Sequence, residues 1–388
     1  MNYNNNIAKQ TMGIVRYSCG LLFMLFCFCY LYFLQGDLLA EAQFVSSHGL
    51  TTYSILIGSL TVTIVLQVLQ WLVGHLLKFN GRYYSLSYFP SLLCLSMLTS
   101  LRQDAAGHFT FGVWLWLCPA LLVAYLLLVI FLRKVRYGEE QEETQSLLWQ
   151  NYLILFVMIL CCGATSQTRE VYHYELKTER LIMAHSYDEA ADVANTSLKT
   201  SRRLTELRMF ALAQQGLLAE NLFDYPQYDG ADGLLSISDT DSVYRYPALR
   251  ICHKLGAIPD YKTIRTTRHY LRILNSKDNL RTPVTQDYYL CYLLLQKDLK
   301  AFAKVLPQFY PDTVTTAQQL PRAYREAILY INKNKARKMP YSIDSETAAR
   351  YDEYQRMKAD IADDLERTNL TRRAFGNTFW WYYEYQNK

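Results

Sequence analysis

The amino-acid sequence changes character near Ser166, and this change constrains the fold more than any other feature. Before Ser166, five long apolar stretches contain no Lys, Arg, Asp or Glu, whereas charged residues recur throughout the chain after it. A bilayer core about 30 Å thick needs roughly 20 apolar residues of α-helix, because each residue advances the helix by about 1.5 Å. We therefore predict an all-α protein with a transmembrane domain in residues 1–166 and an extracytoplasmic domain in residues 167–388.

Two of the five predicted transmembrane helices have an alternative interpretation. The third contains Ser85, Ser87, Pro90 and Ser91, and a re-entrant or interfacial segment is the usual alternative for such a run. The first follows a basic start and precedes the small-residue pattern of residues 40–42, as a secretory signal does, but its apolar run is long for a signal core. The five predicted helices cover residues 17–34, 53–77, 84–101, 111–132 and 147–164.

The basic residues that flank these stretches predict the orientation, because Lys and Arg in short loops stay on the cytoplasmic side. With five spans, the outer loops contain Arg102 alone among basic residues, and Asp37 and Glu41 follow the first span on the outer side. The inner segments contain Lys9, Arg16, Lys78, Arg82, Arg133, Lys134 and Arg136. We therefore expect a cytoplasmic N-terminus and a C-terminal domain on the opposite side of the membrane.

Composition excludes several classes of function. The net charge of +5 is spread over both parts of the chain, so nucleic acid is an unexpected partner. The seven histidines are scattered singly and no CxxC occurs, so we predict no metal site and no cofactor. Ion pathways need ionisable groups at membrane depth, and the spans have none, which favours an anchor in the lipid bilayer. Whether Cys252 and Cys291, outside the spans, form a disulfide is left open.

The soluble part has helical periodicity almost throughout, which predicts helices joined by short turns. Residues 187–198, YDEAADVANTSL, resemble the second helix of a tetratricopeptide repeat, with Ala190 and Ala194 at the small packing positions. An ordinary helical hairpin is the alternative. Further helices are predicted at residues 204–222, 243–255, 261–274, 286–295, 299–309, 318–331 and 345–365. Such a series suits an irregular α-solenoid, a helical-repeat fold like that of tetratricopeptide domains.

Residues 224–242, DYPQYDGADGLLSISDTDS, form the longest stretch of this part without periodicity. Loops of this length in compact domains are often functional, and we predict a binding role for Asp224, Tyr225, Gln227, Asp229 and Asp232. A solvated turn is the alternative. Calcium is disfavoured, because the aspartates do not reproduce the alternating ligand spacing of an EF-hand loop.

The run FGNTFWWYYEY, residues 375–385, concentrates six aromatic side chains in the seven positions from Phe379 to Tyr385. An exposed run of this kind would be an adhesive apolar patch. We expect it to dock against the last helices, with the membrane interface or a partner as the alternative contact.

Several segments resemble an uncharacterised family of Gram-negative bacterial multi-pass inner-membrane proteins with a C-terminal tetratricopeptide-like region. The resembling segments are GDLLAEAQ (36–43), SYFPS (87–91), LFDYPQYDGADGLL (222–235), LPRAYREAILY (320–330) and FGNTFWWYYEY (375–385). The resemblance implies an inner-membrane location with a periplasmic helical domain. It implies no reaction, cofactor or substrate.

The leading functional hypothesis is a non-enzymatic, membrane-anchored binding or scaffold protein that presents its periplasmic domain to a protein or cell-envelope partner, as a monomer or in an oligomer. Helical repeats form extended concave surfaces suited to such partners. The rival is a polytopic membrane glycosyltransferase-like enzyme with Asp37 and Glu41 as catalytic residues, because a carboxylate in the first outer loop can act as a base beside a lipid-linked donor.

Overall fold

The computed structural model of the protein describes residues 2–79, 81–104, 108–135, 144–237, 245–260, 262, 264–311, 320–334 and 338–386. Nearly all its regular elements are helices. The strands in these ranges are β1 (Arg102–Gln103) and β2 (Phe109–Thr110), an antiparallel pair with Arg102 opposite Thr110. The predicted all-α class is confirmed. The chain divides into two compact units, residues 1–173 and 174–388.

The first unit contains four segments that are long and apolar enough to cross a membrane: Met12–Leu34, Ile55–Leu77, Trp114–Lys134 and Ser146–Thr165. They correspond to the first, second, fourth and fifth predicted spans. Its helices are α1 (Asn2–Cys29), continued by a π-helix (Tyr30–Leu34), α2 (Gly36–Ser46), α3 (Ile55–Leu77), a 3-10 helix (Gly81–Tyr88), α4 (Phe89–Thr99), α5 (Trp114–Val135) and α6 (Thr144–Thr165).

The third predicted span, residues 84–101, coincides with the 3-10 helix and α4 rather than with one long α-helix. This segment is the least apolar of the five and also the most enclosed, because α4 contacts α3, α5 and α6. Asn151 of α6 is fully buried and bonds the 3-10 backbone, accepting from Ser85 N at 2.8 Å and donating to Gly81 O at 3.1 Å. These bonds satisfy backbone groups that a tight, irregular helix leaves open.

Two helices, α9 and α12, form the centre of the second unit. Their residues 203–213 and 288–295 are all buried. Side chains at the helix starts cap the free amides; Thr282 and Thr285, for example, form a reciprocal capping box at the start of α12. The helices are α7 (Glu170–Met183, which begins in the first unit), α8 (Tyr187–Asp192), α9 (Arg202–Gln214), a 3-10 helix (Gly230–Gly233), α10 (Ala248–Lys254), α11 (Thr267–Ser276), α12 (Pro283–Leu295), α13 (Leu299–Phe309), α14 (Arg322–Asn334), α15 (Ser345–Asp360), α16 (Asp364–Phe375) and α17 (Phe379–Tyr385).

Several predicted helices are wrong in extent; those predicted at 243–255 and 261–274, for example, begin at Ala248 and Thr267. The helix predicted at 187–198 is the six-residue α8, and Ala194 lies beyond it in the left-handed region (φ 52°). Buried Arg208 binds the carbonyls of Val193 and Ala194, so these groups are not available to continue the helix. The helix predicted at 204–222 ends at Gln214, and Gly216 has φ 74°. The helix predicted at 345–365 is two helices, α15 and α16.

Candidate functional site

The first wall of a cleft in the second unit is built by residues 223–228, directly after the turns that follow α9. Tyr225 is buried, donates its hydroxyl hydrogen to Ala191 O at 2.6 Å, and lies under the guanidinium of Arg208 at 4.8 Å. Gln227 is 3% exposed and donates from Nε2 to Leu222 O at 2.8 Å. These contacts hold the loop in one conformation, so the side chains that line the cleft are already ordered.

The opposite wall comes from α16, α17 and the turn between them. Phe379, Trp380, Trp381 and Tyr382 are buried. The predicted docking of the aromatic run against the protein is thus observed, with Phe223 at 5.2 Å from Tyr382 between ring centroids. The aromatic run therefore forms part of the core of this unit and leaves only some of its edge to the cleft.

The cleft has a volume of about 690 Å³, within the range of roughly 300–1,000 Å³ that small-molecule and cofactor sites occupy. It is lined by aromatic, amide and guanidinium groups. The lining residues are Leu198, Phe223, Asp224, Tyr225, Pro226, Gln227, Tyr228, Arg350, Asn369, Arg372, Arg373, Ala374, Gly376, Asn377, Trp381, Tyr382 and Gln386.

A network of charge-assisted hydrogen bonds connects the two walls. Arg322 of α14 donates from Nη1 to Asp224 Oδ1 at 3.0 Å, and from Nη2 to the backbone oxygen of Asn377. Its Nε donates to Glu326 Oε1 at 3.0 Å, and the second oxygen of Glu326 accepts from Phe379 N at 2.7 Å. Burial raises the pKa of Glu326 while the Arg322 guanidinium opposes this rise. Since Arg322 joins the loop, α14 and the second wall, it fixes the width of the cleft.

Three arginines line this cleft, Arg350 of α15 and Arg372 and Arg373 of α16. Arg350 donates from Nη2 to Asn377 Oδ1 at 2.7 Å, and Arg372 donates from Nη2 to Tyr228 OH at 2.9 Å. The Arg372 guanidinium also lies 5.8 Å from the ring centroid of Trp381. Arg373, the next residue, is exposed. The three cations give the cleft a positive field, because Asp224 is its single carboxylate and is already paired with Arg322.

Two buried polar atoms in the cleft lining have no hydrogen-bond partner. They are Oε1 of Gln227, an acceptor, and Nε1 of Trp381, a donor, on side chains that are 3% and 6% exposed. Buried polar atoms are nearly always bonded, since an orphaned one costs about 1–3 kcal/mol. Both atoms are closed off from solvent, and other buried polar atoms of the described residues, such as Tyr288 OH and Trp380 Nε1, also lack a partner, so the pair does not by itself mark a ligand.

The five residues predicted from the sequence divide into two groups. Asp224, Tyr225 and Gln227 line the cleft. Asp229 and Asp232 are exposed around the 3-10 helix Gly230–Gly233 and do not line it. In the described part of the chain, no group of three His, Cys, Asp or Glu residues is arranged to hold a metal ion.

Sequence reasoning missed the arginines. Arg350 lies in the helix predicted at 345–365 and Arg372 and Arg373 lie beyond it, and no short motif links them to the loop. The one available signal was the Arg372–Arg373 pair directly before the aromatic run, where a charged pair borders a segment predicted to be buried.

The carboxylates of the rival enzyme hypothesis lie in the first unit. Asp37 is in the first turn of α2 and half-buried, and Glu41 is one turn later and 3% exposed. Neither lines the cleft. The transferase hypothesis stays a prediction. All nine cysteines are free thiols, including buried Cys252 and Cys291.

The fold and the cleft define an all-α protein with four long apolar helices and, in its second unit, a cleft lined by cationic and aromatic residues. A family model described as a family of unknown function, DUF6057, matches residues 107–261 and 259–386. These matches cover well over half of the chain, and the protein belongs to that family. The prediction of an uncharacterised family is confirmed. Curated proteins and solved structures gave no match.

Proposed function

We propose that the protein is a membrane-anchored, non-enzymatic binding protein whose second unit holds a protein or envelope partner in the cleft. The observation that carries this proposal is the cleft of about 690 Å³ itself, which Arg350, Arg372 and Arg373 line together with a single carboxylate, that of Asp224. Its volume lies within the range that binding sites occupy.

Membrane anchoring is supported by the surface of the first unit. Large apolar side chains are exposed along the four long helices, among them Trp71 at 65%, Trp116 at 82% and Phe156 at 57%. Water-soluble proteins rarely expose apolar area on this scale, whereas lipid tails cover it without cost.

We also propose that the 3-10 helix and α4 together make a fifth crossing. Beyond a kink at Tyr83, the five residues of 3-10 helix from Tyr84 to Tyr88 rise about 10 Å and the eleven residues of α4 about 16 Å, which together approach a core of about 30 Å. Irregular backbone is tolerated at membrane depth where protein encloses it, and Ser85, Ser87 and Ser91 are fully buried. Five crossings keep the basic residues on one side and put the second unit in the periplasm of a Gram-negative cell.

The helical-repeat character of the second unit remains part of the proposal. Helices that follow one another contact each other in the pairs α8–α9, α11–α12, α12–α13, α13–α14, α14–α15, α15–α16 and α16–α17. These contacts support an irregular repeat, and the contacts α9–α12 and α14–α17 between distant helices make it depart from a regular one.

The binding function is tested by site-specific photocrosslinking of the full-length protein in native membranes. A photoreactive phenylalanine replaces Tyr228, which lines the cleft and is 41% exposed. The matched position is Ile258, 59% exposed and outside the cleft lining. We expect a discrete adduct from position 228 that position 258 does not form. Identical adducts from both positions, or no adduct from position 228, would contradict the proposal.

A further inference from the structure

The cleft has an excess of positive charge that the protein itself does not neutralise. Arg373 lines it, is exposed, and makes no polar contact in the described part of the chain. Arg350 and Arg372 bond only neutral oxygens there, those of Asn377 and Tyr228. A guanidinium bound to a neutral acceptor keeps its full charge available, and several such groups around a cleft concentrate the field on an entering anion.

A fourth arginine lies directly behind the loop. Arg208 is fully buried, its guanidinium is 4.8 Å from the ring centroid of Tyr225, and it donates from Nε to Val193 O at 3.1 Å. No ion pair joins Arg208 to a carboxylate among the described residues. A buried guanidinium bonded to carbonyl groups alone adds to the positive field at Tyr225, which is itself part of the cleft lining.

The amide groups of the lining restrict the ligand further. A peptide backbone supplies both N–H and C=O groups along its length. The amide side chains of Asn369, Asn377 and Gln386 in the lining can make paired contacts with both groups. A lone inorganic anion would leave most of the 690 Å³ volume unfilled, whereas a segment of a few residues fills a site of this size.

We propose that the cleft binds an acidic peptide segment, with Asp or Glu carboxylates beside Arg373 and backbone amides on the side chains of Asn369, Asn377 and Gln386. This inference rests on the proposed binding function and names the chemistry of its partner. Carboxylates suit the site because a guanidinium presents its donors in a planar fork that matches a carboxylate.

The experiment measures fluorescence anisotropy of a labelled, end-blocked tetraglutamate peptide on the detergent-solubilised full-length protein. Tetraglutamine is the uncharged probe, and inorganic phosphate is the competitor for a simple anion site. We expect tetraglutamate to bind, tetraglutamine to bind at least about five-fold more weakly, and the affinity for tetraglutamate to fall as salt is added.

Arg373→Gln tests the assignment of the charge. It removes an exposed side chain without a polar contact, so the fold is retained, and we expect about five-fold weaker binding of tetraglutamate. The matched control is Arg272→Gln, which removes an exposed helical arginine of the same unit outside the cleft lining and leaves binding unchanged.

Three results would overturn the acidic peptide. They are equal binding of the two peptides, equal loss in Arg373→Gln and Arg272→Gln, and full displacement of bound tetraglutamate by an equal concentration of inorganic phosphate. If one of these occurs while the Tyr228 photocrosslink persists, the cleft is a binding site of other chemistry. Loss of both signals contradicts the binding function as well.

Discussion

Asp287 of α12 illustrates how the second unit buries a carboxylate without a cation. Its Oδ1 accepts hydrogen bonds from Tyr310 OH and Tyr324 OH, each at 2.8 Å, and Tyr324 OH is also 3.8 Å from Cys291 Sγ. Burial raises the pKa of the Asp287 carboxyl above its ordinary value, and the two hydroxyls oppose the rise. The folded protein therefore retains the Asp287 proton to higher pH than the unfolded chain does.

The raised pKa of Asp287 predicts a contribution to the free energy of unfolding that decreases as pH rises. Between the ordinary and the raised pKa the folded state binds more protons than the unfolded state, so the free energy of unfolding falls as pH rises through this interval. Asp287→Asn has no ionisable group at this position, and we expect that its free energy of unfolding does not show this decrease with pH. The measurement is urea unfolding of the full-length protein in detergent between about pH 4 and about pH 7, followed by circular dichroism.

Asp278→Asn is the control, because Asp278 is 90% exposed and paired with Arg281 at 2.9 Å on the surface. Its profile should parallel that of the wild type. A difference between Asp287→Asn and wild type that stays constant over the whole pH range would show that Asp287 does not titrate in this way.

The residues of the cleft were only partly accessible to sequence reasoning. Asp224, Tyr225 and Gln227 were chosen because polar and aromatic residues in a long aperiodic loop indicate a surface, and they line the cleft. The same reasoning chose Asp229 and Asp232, since composition does not reveal that a 3-10 helix at Gly230 turns the chain away. Arg373 could not be assigned to the cleft from the sequence, because its role depends on a wall contributed by a distant part of the chain.

At the scale of elements, the 3-10 helix Gly81–Tyr88 depends on one side chain of another helix. Asn151 of α6 bonds Ser85 N and Gly81 O of this element, and its Nδ2 also donates to Leu147 O at 2.9 Å. Replacement by leucine leaves buried backbone groups without these partners, and each such group costs about 1–3 kcal/mol. We expect Asn151→Leu to lower the melting temperature of the detergent-solubilised protein, measured by loss of the monodisperse peak after heating.

Gln150→Leu is the matched variant for this prediction. Gln150 precedes Asn151 and bonds only within its own helix, to Ser146 Oγ at 3.0 Å. Its replacement should change the melting temperature much less. Equal losses in the two variants would mean that Asn151 acts through helix polarity in general and not through the 3-10 helix.

Helix positions were easier to predict than helix ends. The helix predicted at 299–309 coincides with α13, where Asp298 caps the first turn by accepting a hydrogen bond from Ala301 N at 3.0 Å. The helix predicted at 187–198 ends six residues early, because Arg208 binds the carbonyls that follow Asp192. A cap is encoded within three residues and can be read locally, whereas a carbonyl taken by a distant arginine cannot.

At the scale of the whole molecule, the number of crossings decides which side of the membrane the second unit occupies. Alkaline phosphatase, active only outside the cytoplasm, is fused after Lys134 or after Ser166. With five crossings and a cytoplasmic N-terminus, we expect activity after Ser166 and none after Lys134, since the basic residues around position 134 stay inside.

The opposite pattern has an equally definite meaning. Activity after Lys134 without activity after Ser166 would show that the 3-10 helix and α4 do not cross, which would leave the four long apolar helices as the only crossings and put the cleft in the cytoplasm. Cleavage of the first helix would leave both signals unchanged.

The two-part organisation was predictable because apolar length and charge are written directly in the sequence, and four of the five predicted spans coincide with long apolar helices. The third was harder to predict. Its serines and proline make it less apolar than the other four. They are tolerated because α3, α5 and α6 enclose the segment, and this enclosure cannot be predicted from the segment itself. The arrangement of α9 and α12 as the centre of the second unit was likewise beyond the sequence, since both helices are buried on every side.

The two walls of the cleft are far apart in the chain, so one wall is synthesised well before the other. Tyr228 and Arg372 bond to each other across 144 residues of sequence. Ribosomes add about 5–20 residues per second, so the loop is made roughly 7–30 s before the wall that faces it. During this interval the nascent protein has no cleft. On the proposed binding function, we expect ligand capture to begin only after α16 and α17 have been synthesised, so that incomplete chains do not compete with finished ones for the partner.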